Sequence, residues 1–375
     1  MFYLAIDQHS TQLTVNLRNE QGDVVLRRQV STKPEAVKGF FEKLSSECAA
    51  DGGYVAILEI CGFNDWLLAL LKSSWSGCRE VLLIQPEKRS KRKTDRRDAN
   101  QLGEILWVNR QRLLVGKRVQ NVRRVLPATP EEAADRQLTA HRRRLTQRRT
   151  RGINQVWRII HKHNLHHGRP TKGIQTKRVR QWLSKLELPE IDRLQMDQLL
   201  VEWDMLEKHL AEVDKQIDAR HLKNEKAQLI STVPGLSKYS GLAIASRASE
   251  IERFPRGASL ANFFGLAPGC RNSGNTQDRM GAITKQGSTM VRFLLGQAVI
   301  HVLRKDAWMR QWYRQVKHRR GSKVARVAVM RRLVTILWCM LKYDIPYICG
   351  GPGEFRKVRE REEMLRREFQ AAAGA

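Results

Sequence analysis

Apolar and polar residues alternate over short runs in the first hundred residues. Runs of period two that are rich in β-branched residues predict strands, whereas apolar positions three and four apart predict helices. The predicted strands are residues 2–7, 13–18, 23–30, 54–60 and 80–85, and the predicted helices are residues 33–48, 65–72 and 95–108. Three consecutive strands followed by alternating helix and strand indicate an α/β sheet with helices on its faces.

A helical pattern begins after Pro127. Thr129, Pro130 and Glu132 have the spacing of an N-cap, a proline at the first helical position and a capping-box glutamate. Further along, apolar residues recur every three or four positions and predict a helix over about 191–220 with a heptad seam. The seam residues are Leu199, Trp203, Leu206, Leu210, Val213 and Ile217. We therefore predict a basic, helical, coiled-coil-like middle segment over residues 127–225.

The last part of the chain combines helices with a glycine-rich loop region. Glycines cluster over residues 265–287, which is typical of loops between helices. The stretch VPGLSKYSGLAIA at 233–245 resembles a helix-hairpin-helix turn, whose second helix could receive a backbone phosphate on its N-terminal amides. A simple helix-helix connection fits the same residues. We predict a mainly α domain over residues 226–354 and a charged tail over 355–375.

The charge pattern adds a partner to this picture. A formal net charge of +30 and a pI near 10.5 predict a polyanionic ligand, and nucleic acid is the leading candidate. Residues 86–180 contain 27 basic and 7 acidic residues, whereas residues 1–85 contain 8 and 10. A run of arginines can be only a solvated face, but this density favours phosphate contact. The basic residues that we expect on nucleic acid here are Lys91, Arg92, Lys93, Arg96, Arg97, Arg142, Arg143, Arg144, Arg148 and Arg149.

The cysteines and the lengths of the apolar runs indicate the cellular compartment of the protein. The six cysteines include no CxxC pair, so neither a zinc knuckle nor a redox motif is indicated. No apolar run approaches the length of a membrane span, and MFYLAIDQHS at the N-terminus lacks the features of a signal peptide. We expect a cytoplasmic protein without a membrane partner.

Four carboxylates stand where an α/β sheet would bring them together. Asp7 ends the first predicted strand, Glu59 lies at the end of the strand YVAILEI, and Asp95 and Asp98 open the helix that follows the last strand. Oxygen ligands of this number suit one or two Mg²⁺ ions that bridge to substrate phosphates. As alternatives, Asp95 fits a helix N-cap, Asp98 fits a first-turn residue and Asp7 fits a strand-end turn. Glu59 fits such a reading less well, because an unpaired buried carboxylate is costly.

A second group of candidate residues lies in the glycine-rich region. Ser273 precedes a glycine and could be exposed for nucleophilic attack, while Arg271, Lys285 and Arg292 could hold a phosphate. A plain Ser-Gly turn is the alternative. Ser288 is a second serine in the same region, but its position after Gly287 fits a helix start better.

These motifs together resemble the DEDD transposases of bacterial insertion sequences, which are bridge-RNA-guided recombinases. AID at 5–7, the strand-end glutamate at 59 and KTDRRDA at 93–99 are similar to the RuvC-like, RNase H-fold N-terminal domain of that family. VPGLSKYSGLAIA, FFGLAPGCRNSG at 263–274 and GAITKQGSTMVR at 281–292 are similar to its C-terminal transposase domain. The resemblance extends over nearly the whole chain and implies a RuvC-like domain over residues 1–126.

The resemblance also implies a mechanism and partners. It implies that Asp7, Glu59, Asp95 and Asp98 bind Mg²⁺, and that Ser273 attacks a DNA phosphate to give a covalent phosphoserine intermediate. It implies a non-coding guide RNA whose loops pair with donor and target DNA. In this family the acidic cluster of one subunit is thought to meet the serine of another, which implies homodimers that pair into a tetramer.

Two other functions fit the residues alone. One is a metal-only, RuvC-like endonuclease that resolves branched DNA by hydrolysis, with a structural Ser273. The other is a non-catalytic RNA-binding protein in which the acidic residues are only helix caps. The fate of a protein-DNA adduct after replacement of Ser273 separates the first of these from a recombinase.

Overall fold

The computed structural model describes residues 1–86, 95–117, 119, 122–270 and 280–373, with the backbone alone for residues 86, 95–97, 270, 280, 362 and 365–373. The chain forms two compact units, Met1–Pro127 and Ala128–Ala375. The predicted arrangement of an α/β N-terminal part followed by a mainly helical chain is confirmed.

A six-stranded sheet forms the N-terminal unit. Its strands and helices are β1 (Phe2–Gln8), β2 (Gln12–Arg18), β3 (Val24–Ser31), α1 (Pro34–Cys48), β4 (Tyr54–Glu59), α2 (Asp65–Leu71), β5 (Cys78–Pro86), α3 (Asp95–Leu114) and β6 (Val122–Val125). The strand order is β3-β2-β1-β4-β5-β6, with β1, β4 and β5 mutually parallel and the other pairs antiparallel. All five predicted strands and all three predicted helices are present. The short basic strand β6 was not predicted.

Alternation along β1 and β4 divides the core of this unit into two faces. Leu4 and Ile6 point to the face that also buries residues of α1 and α2. Tyr3 and Ala5 point to the opposite face, where Leu102 and Leu106 of α3 are buried. Period-two side-chain direction is the reason for this division. As a result, α3 covers the face to which every odd-numbered residue of β1 points.

The second unit is built of helices around one large core and a smaller one. The first helix, α4 (Pro130–Lys162), begins at the predicted capping box, since the Thr129 side chain accepts a hydrogen bond from the Glu132 amide. It is followed by α5 (Lys177–Lys185) and α6 (Glu190–Leu222), and the six predicted seam residues on α6 are all buried. Ion pairs between α4 and α6 show that the two helices run antiparallel. Assembly into a coiled coil stays a prediction.

The rest of the second unit carries a small hairpin among helices. Its elements are α7 (Glu225–Ser231), α8 (Lys238–Ala248), α9 (Gly257–Phe263), β7 (Pro268–Cys270), β8 (Met280–Ile283), α10 (Thr289–Lys305), α11 (Ala307–Tyr343) and α12 (Pro352–Ala373). The turn between α7 and α8 needs Gly235, which has φ +86° and lies against the His301 side chain. Residues 355–373 of the predicted charged tail are helical, because they belong to α12, and the fully buried Phe355 anchors this helix. None of the helices in the described part of the chain is both long and apolar enough to cross a membrane.

Candidate active site

Two of the four predicted carboxylates occupy neighbouring parallel strands at the same level. The register of β1 and β4 pairs Ile6 with Leu58, so the next residues along the two strands are Asp7 and Glu59. Both have the same parity as the residues that face α3. Parallel neighbours lie about 4.8 Å apart across the sheet. The two carboxylates thus leave the carboxyl ends of β1 and β4 side by side on the α3 face.

The direction of α3 brings its first turn to the same end of the sheet. Asn100 accepts a hydrogen bond from Asn16 (3.4 Å), and Glu104, one turn later, pairs with Arg18 (2.8 Å). Because Asn16 and Arg18 lie opposite Ala5 and Tyr3 of β1, α3 runs antiparallel to β1. Its N-terminal turn therefore lies towards the end of β1 that carries Asp7. Half-buried Asp98 belongs to this turn, whereas the side chain of Asp95 lies outside the described residues.

The donor set at this sheet end fits a hard divalent cation. Asp7, Glu59 and Asp98 offer carboxylate oxygens, which are the ligands that Mg²⁺ prefers. The Asp7 side chain is 16% exposed, and its Oδ2 lies 3.1 Å from His9 Nε2. Among the described side chains, no group of three or more histidine, cysteine or acidic residues already stands close enough to hold a metal ion. His9, which the sequence did not single out, is a neighbour that a metal bound to Asp7 would have to accommodate.

A buried amide pair fixes the strand ends from the opposite face. Asn64, 2% exposed, donates from Nδ2 to Gln8 Oε1 (2.9 Å) and to the Glu59 carbonyl (3.3 Å). Gln8 in turn donates to the Phe63 carbonyl (2.9 Å). These bonds hold the end of β1 to the loop after β4. Gln8 and Asn64 are positioning residues that sequence reasoning missed, since the bonds that Gln8 makes to Asn64 and Phe63 each span more than fifty positions.

The predicted nucleophile, Ser273, lies in the sequence between β7 and β8. Residues 271–279, which include Arg271, Asn272, Ser273 and Gly274, lie outside the described residues. The two strands pair antiparallel with Pro268 opposite Ile283. At the base of the hairpin, Gly287 has φ +128°, and a Cβ there would lie 2.1 Å from the Phe263 carbonyl oxygen. Gly287, one of the glycines predicted as loop residues, therefore permits backbone-to-backbone contact after β8.

The remaining residues of this region have separate structural roles. Ser288 is the N-cap of α10 and accepts a hydrogen bond from the Val291 amide, which confirms the helix start predicted for it. Arg292 donates to the carbonyls of Phe264 (3.0 Å) and Gly287 (3.1 Å) and so ties α10 to the hairpin base. Lys285 has a left-handed backbone, φ +56°, and is exposed. A role for Lys285 or Arg292 on a phosphate stays a prediction.

The arginines of α4 divide into two groups by helix face. Arg142 donates to both oxygens of Asp214 (2.5 and 3.1 Å), and Arg149 pairs with Glu207 (3.0 Å), both carboxylates being on α6. The hydrogen bond to Asp214 raises the pKa of Arg142. Arg144 and Arg148 are exposed on another side of α4. Arg142 and Arg149 thus hold the helix pair together, whereas Arg144 and Arg148 are available to a ligand. The predicted contacts of Lys91, Arg92 and Lys93 lie outside the described residues, as do the side chains of Arg96 and Arg97.

Two further arginines, both half-buried, join the N-terminal half of α4 to α8. Arg247 on α8 donates to Thr139 Oγ1 (3.1 Å) and to the Ala243 carbonyl (2.9 Å), and Arg136 donates to the Ser246 carbonyl (2.7 Å). Burial lowers the pKa of Arg247 to about 10, with a further contribution from Arg136. The guanidinium stays charged at neutral pH. It adds positive potential to this part of the second unit.

Comparison with known protein families gives the same assignment for both parts of the chain. Residues 4–164 match a family model described as a transposase, the DEDD type of IS110 elements. Residues 227–314 match the model described as the transposase IS116/IS110/IS902 family. The first match covers β1, β4 and α3, and the second covers the β7-β8 hairpin. The DEDD family match implies the use of a divalent metal ion.

Individual relatives extend this similarity. The transposase for insertion sequence element IS1111A of Coxiella burnetii is 26% identical over 306 residues, which is 79% of each chain. A probable family 20 transposase of Pseudomonas aeruginosa is 30% identical over 156 residues, 40% of this chain and 45% of that protein. A pilin gene-inverting protein of Moraxella bovis is 25% identical over 126 residues, 33% of this chain and 39% of that protein. The acidic sheet end, the two family matches and the long similarity to a transposase agree with one another. The chain therefore belongs to the DEDD transposases of bacterial insertion sequences, enzymes that cleave and rejoin DNA.

Proposed function

We propose that this transposase is an RNA-guided recombinase that joins DNA strands through a covalent serine intermediate. In this proposal Asp7, Glu59, Asp95 and Asp98 hold Mg²⁺, and Ser273 is the nucleophile. The protein takes up donor and target DNA that a non-coding guide RNA selects by base pairing. The proposal goes beyond the family assignment in the metal, the serine, the RNA and the assembly.

The shared sheet end of the acidic residues carries the proposal. Asp7 and Glu59 come directly after Ile6 and Leu58, which are paired in the parallel register of β1 and β4. The antiparallel course of α3 supports bringing Asp98 to them. The strand order β3-β2-β1-β4-β5 is the order expected of an RNase H-like, RuvC-like domain. Helix caps alone would explain the aspartates of α3. They would not explain a glutamate and an aspartate at adjacent strand ends.

The serine would conserve the energy of the phosphodiester bond. Ser273 Oγ would form a bond to phosphorus while the bond to the leaving strand oxygen breaks, and the serine proton would pass, in net terms, to that leaving hydroxyl. Attack by a second strand hydroxyl would reverse these changes and release the serine. Bound Mg²⁺ would polarise the phosphate and stabilise the leaving oxygen. Rejoining without an external energy source is the reason to prefer this mechanism to hydrolysis. The name of the Moraxella relative, a gene-inverting protein, supports rejoining as well.

A denaturation-resistant protein-DNA adduct tests the nucleophile. Replacement of Ser273 by Ala should abolish the adduct. Ser288→Ala should keep it, because Ser288 only caps α10 and the loss of this cap costs about 1 kcal/mol of stability. Asp98→Asn should also abolish the adduct in Mg²⁺. If Ser273→Ala still cleaves DNA and no variant ever forms an adduct, the metal-only endonuclease is the better description. If Asp98→Asn leaves DNA processing intact, the acidic residues are caps.

The guide RNA is supported by charge. Arg144 and Arg148 of α4 are exposed, and the whole chain has a net charge of +30. A-form RNA that is recognised by its shape suits such a basic surface as well as duplex DNA does. Sequencing the RNA that copurifies with the protein tests this part. Recovery of one abundant species encoded next to the transposase gene supports guidance. Recovery of random cellular RNA contradicts it.

A tetramer is supported by a second apolar stripe on α6. Ile191, Leu194, Val201 and Met205 are 71, 55, 70 and 42% exposed, and their spacing continues one helix face that is separate from the buried seam. We infer that a second copy of the chain covers this stripe. Val201→Glu should shift the mass measured by light scattering from tetramer or dimer towards monomer, whereas Glu202→Gln beside it should not. An unchanged mass for Val201→Glu would place the subunit contact elsewhere.

A further inference from the structure

A groove of about 540 Å³ lies between the basic helix α4 and the N-terminal parts of α8 and α10. Its walls include Arg143, Gln147 and Arg151 of α4, Tyr239 of α8 and Phe293 of α10. We name it the Phe293 groove. All of these residues belong to the second unit, and none of them carries the serine chemistry.

The α4 side of the groove carries arginines whose positive charge is available to a ligand. Arg142 at its edge is neutralised by Asp214, but in the part of the chain that the structure describes no carboxylate pairs with Arg143. Arg143 instead places its guanidinium 4.9 Å from the centre of the Phe293 ring and approaches Met290 Sδ at 3.6 Å. Arg151 is exposed and donates to the Gln147 carbonyl of its own helix (3.4 Å). Half-buried Arg247 adds further positive charge near Arg143.

The opposite wall is aromatic and incompletely covered. Phe293 is 46% exposed, although it lies one residue after Arg292, whose side chain is pinned to the hairpin base. Tyr239 forms the floor, with the Arg142 guanidinium 4.4 Å from its ring centre. An aromatic ring with an adjacent unpaired arginine is the combination that binds the two halves of an unstacked nucleotide, its base and its phosphate.

We propose that the Phe293 groove binds one unstacked nucleotide of a single nucleic-acid strand, with its base against Phe293 and its backbone phosphate at Arg143 and Arg151. Ser288 caps α10 shortly after β8 ends, so Phe293 lies in the second turn of the helix that follows the β7-β8 pair. If the proposed serine chemistry is right, on which this assignment of the strand rests, the groove holds a nucleotide that flanks the cleaved phosphate. Base stacking would then keep the strand open beside the nucleophile.

Binding of single strands with and without a base tests this directly. The full chain carrying Ser273→Ala, without Mg²⁺, is titrated with fluorescein-labelled dT15 and with copies that contain one abasic site at successive positions. Phe293→Ala should weaken binding of dT15 roughly 5- to 100-fold, since stacking on one aromatic ring contributes that much. Phe293→Tyr should retain the affinity. Ile300→Ala removes another exposed apolar side chain from α10, outside the groove, and should change nothing.

The abasic series separates stacking from charge. With the wild-type groove residues, an abasic site at one position of the strand should reduce the affinity. Phe293→Ala should remove this dependence on the abasic position. Arg143→Gln should weaken intact and abasic strands equally and lower the salt dependence by about 0.7 in logarithmic slope, the share of one phosphate on a single strand. The same titration with U15 RNA distinguishes an RNA strand from a DNA strand as the occupant.

Two outcomes overturn the proposal. One is equal affinity of Phe293→Ala and wild-type groove residues for dT15 and U15, which would leave the groove to another class of partner. The other is an equal loss by Phe293→Ala on intact and abasic strands, which would mean a change of fold and not a lost stacking contact. Because these titrations need no covalent adduct, their failure is distinct from a failure of the serine mechanism.

Discussion

Gly103 allows α3 to lie close against the sheet, as the proposed acidic site requires. A Cβ at this position would lie 2.7 Å from Asn16 Oδ1 and 3.2 Å from Arg18 Nε, where ordinary contact begins at 3.4 Å. Asn16 and Arg18 are 2 and 7% exposed, and Arg18 is held by Glu104 at 2.8 Å. The side chains under Gly103 are therefore poorly placed to move aside. Gly103→Ala should lift α3 by about 0.7 Å, as the difference between these distances requires.

The expected effects on stability and activity differ in size. Alanine favours a helix over glycine by about 1 kcal/mol, whereas overpacking costs about 1–3 kcal/mol, so the variant should lose no more than about 2 kcal/mol. Asp98 lies less than two turns from Gly103 and moves with the helix. A displacement approaching 1 Å at a catalytic group costs up to about 100-fold in rate. The rate of adduct formation in Mg²⁺ should therefore fall roughly 10- to 100-fold while the chain stays folded.

Unfolding in guanidinium chloride measures the effect on stability, and the rate of adduct formation measures the effect on activity. Gly39→Ala in α1 is the matched control, because a Cβ at Gly39 meets nothing within 4 Å. It should gain up to about 1 kcal/mol of stability and keep the wild-type rate. Adding Asn16→Ala to Gly103→Ala removes the obstructing oxygen and should restore part of the rate. If Gly103→Ala behaves like Gly39→Ala in both measurements, α3 does not constrain the acidic site.

Three further changes test the second unit. A hydrogen bond from Lys162 is the main reason that the pKa of Asp192 is lowered, so its contribution to stability is complete above its ordinary pKa and is lost as pH falls below it. From about pH 4 downward, the melting temperature of the wild type should decrease more steeply than that of Asp192→Asn. Asp306→Ala removes the N-cap of α11 and leaves the Tyr347 hydroxyl without its 2.8 Å acceptor, and should cost roughly 3 kcal/mol in denaturant unfolding. Gly287→Ala introduces a Cβ 2.1 Å from a backbone carbonyl oxygen at φ +128° and should abolish the adduct while the far-UV spectrum changes little.

Local signals account for the elements that could be predicted from the sequence. The alternation over residues 2–7 and the capping box at Thr129 each depend on residues within one turn or one strand, and both are present as predicted. β6 was missed because VRRV is four residues long, half-buried and without an apolar alternation. The charged surface of α12 favours the prediction of a tail, whereas the buried Phe355 secures it as a helix.

Prediction of the acidic site required the pairing of distant strands in addition to local sequence patterns. Strand ends identified Asp7 and Glu59, and parallel pairing of β1 and β4 was a natural consequence of an intervening helix. The register that makes them direct neighbours is set by the packing of the whole sheet, which no short window contains. The same limit applies to Gln8 and Asn64. Their hydrogen bond joins residues 56 positions apart, and each side chain alone is unremarkable in the sequence.

Helical phase supplies a criterion for the arginines of α4 that composition does not. Leu145, Ile153 and Val156 are buried on one face of this helix, and Arg142 and Arg149 continue that face at spacings of three and four. Their ion pairs with α6 follow from this phase, because an arginine on a packed face must find a carboxylate on the facing helix. Arginines out of phase with the apolar stripe keep their charge for a ligand. The number of arginines thus predicts that α4 meets nucleic acid, but their phase predicts which of them do so.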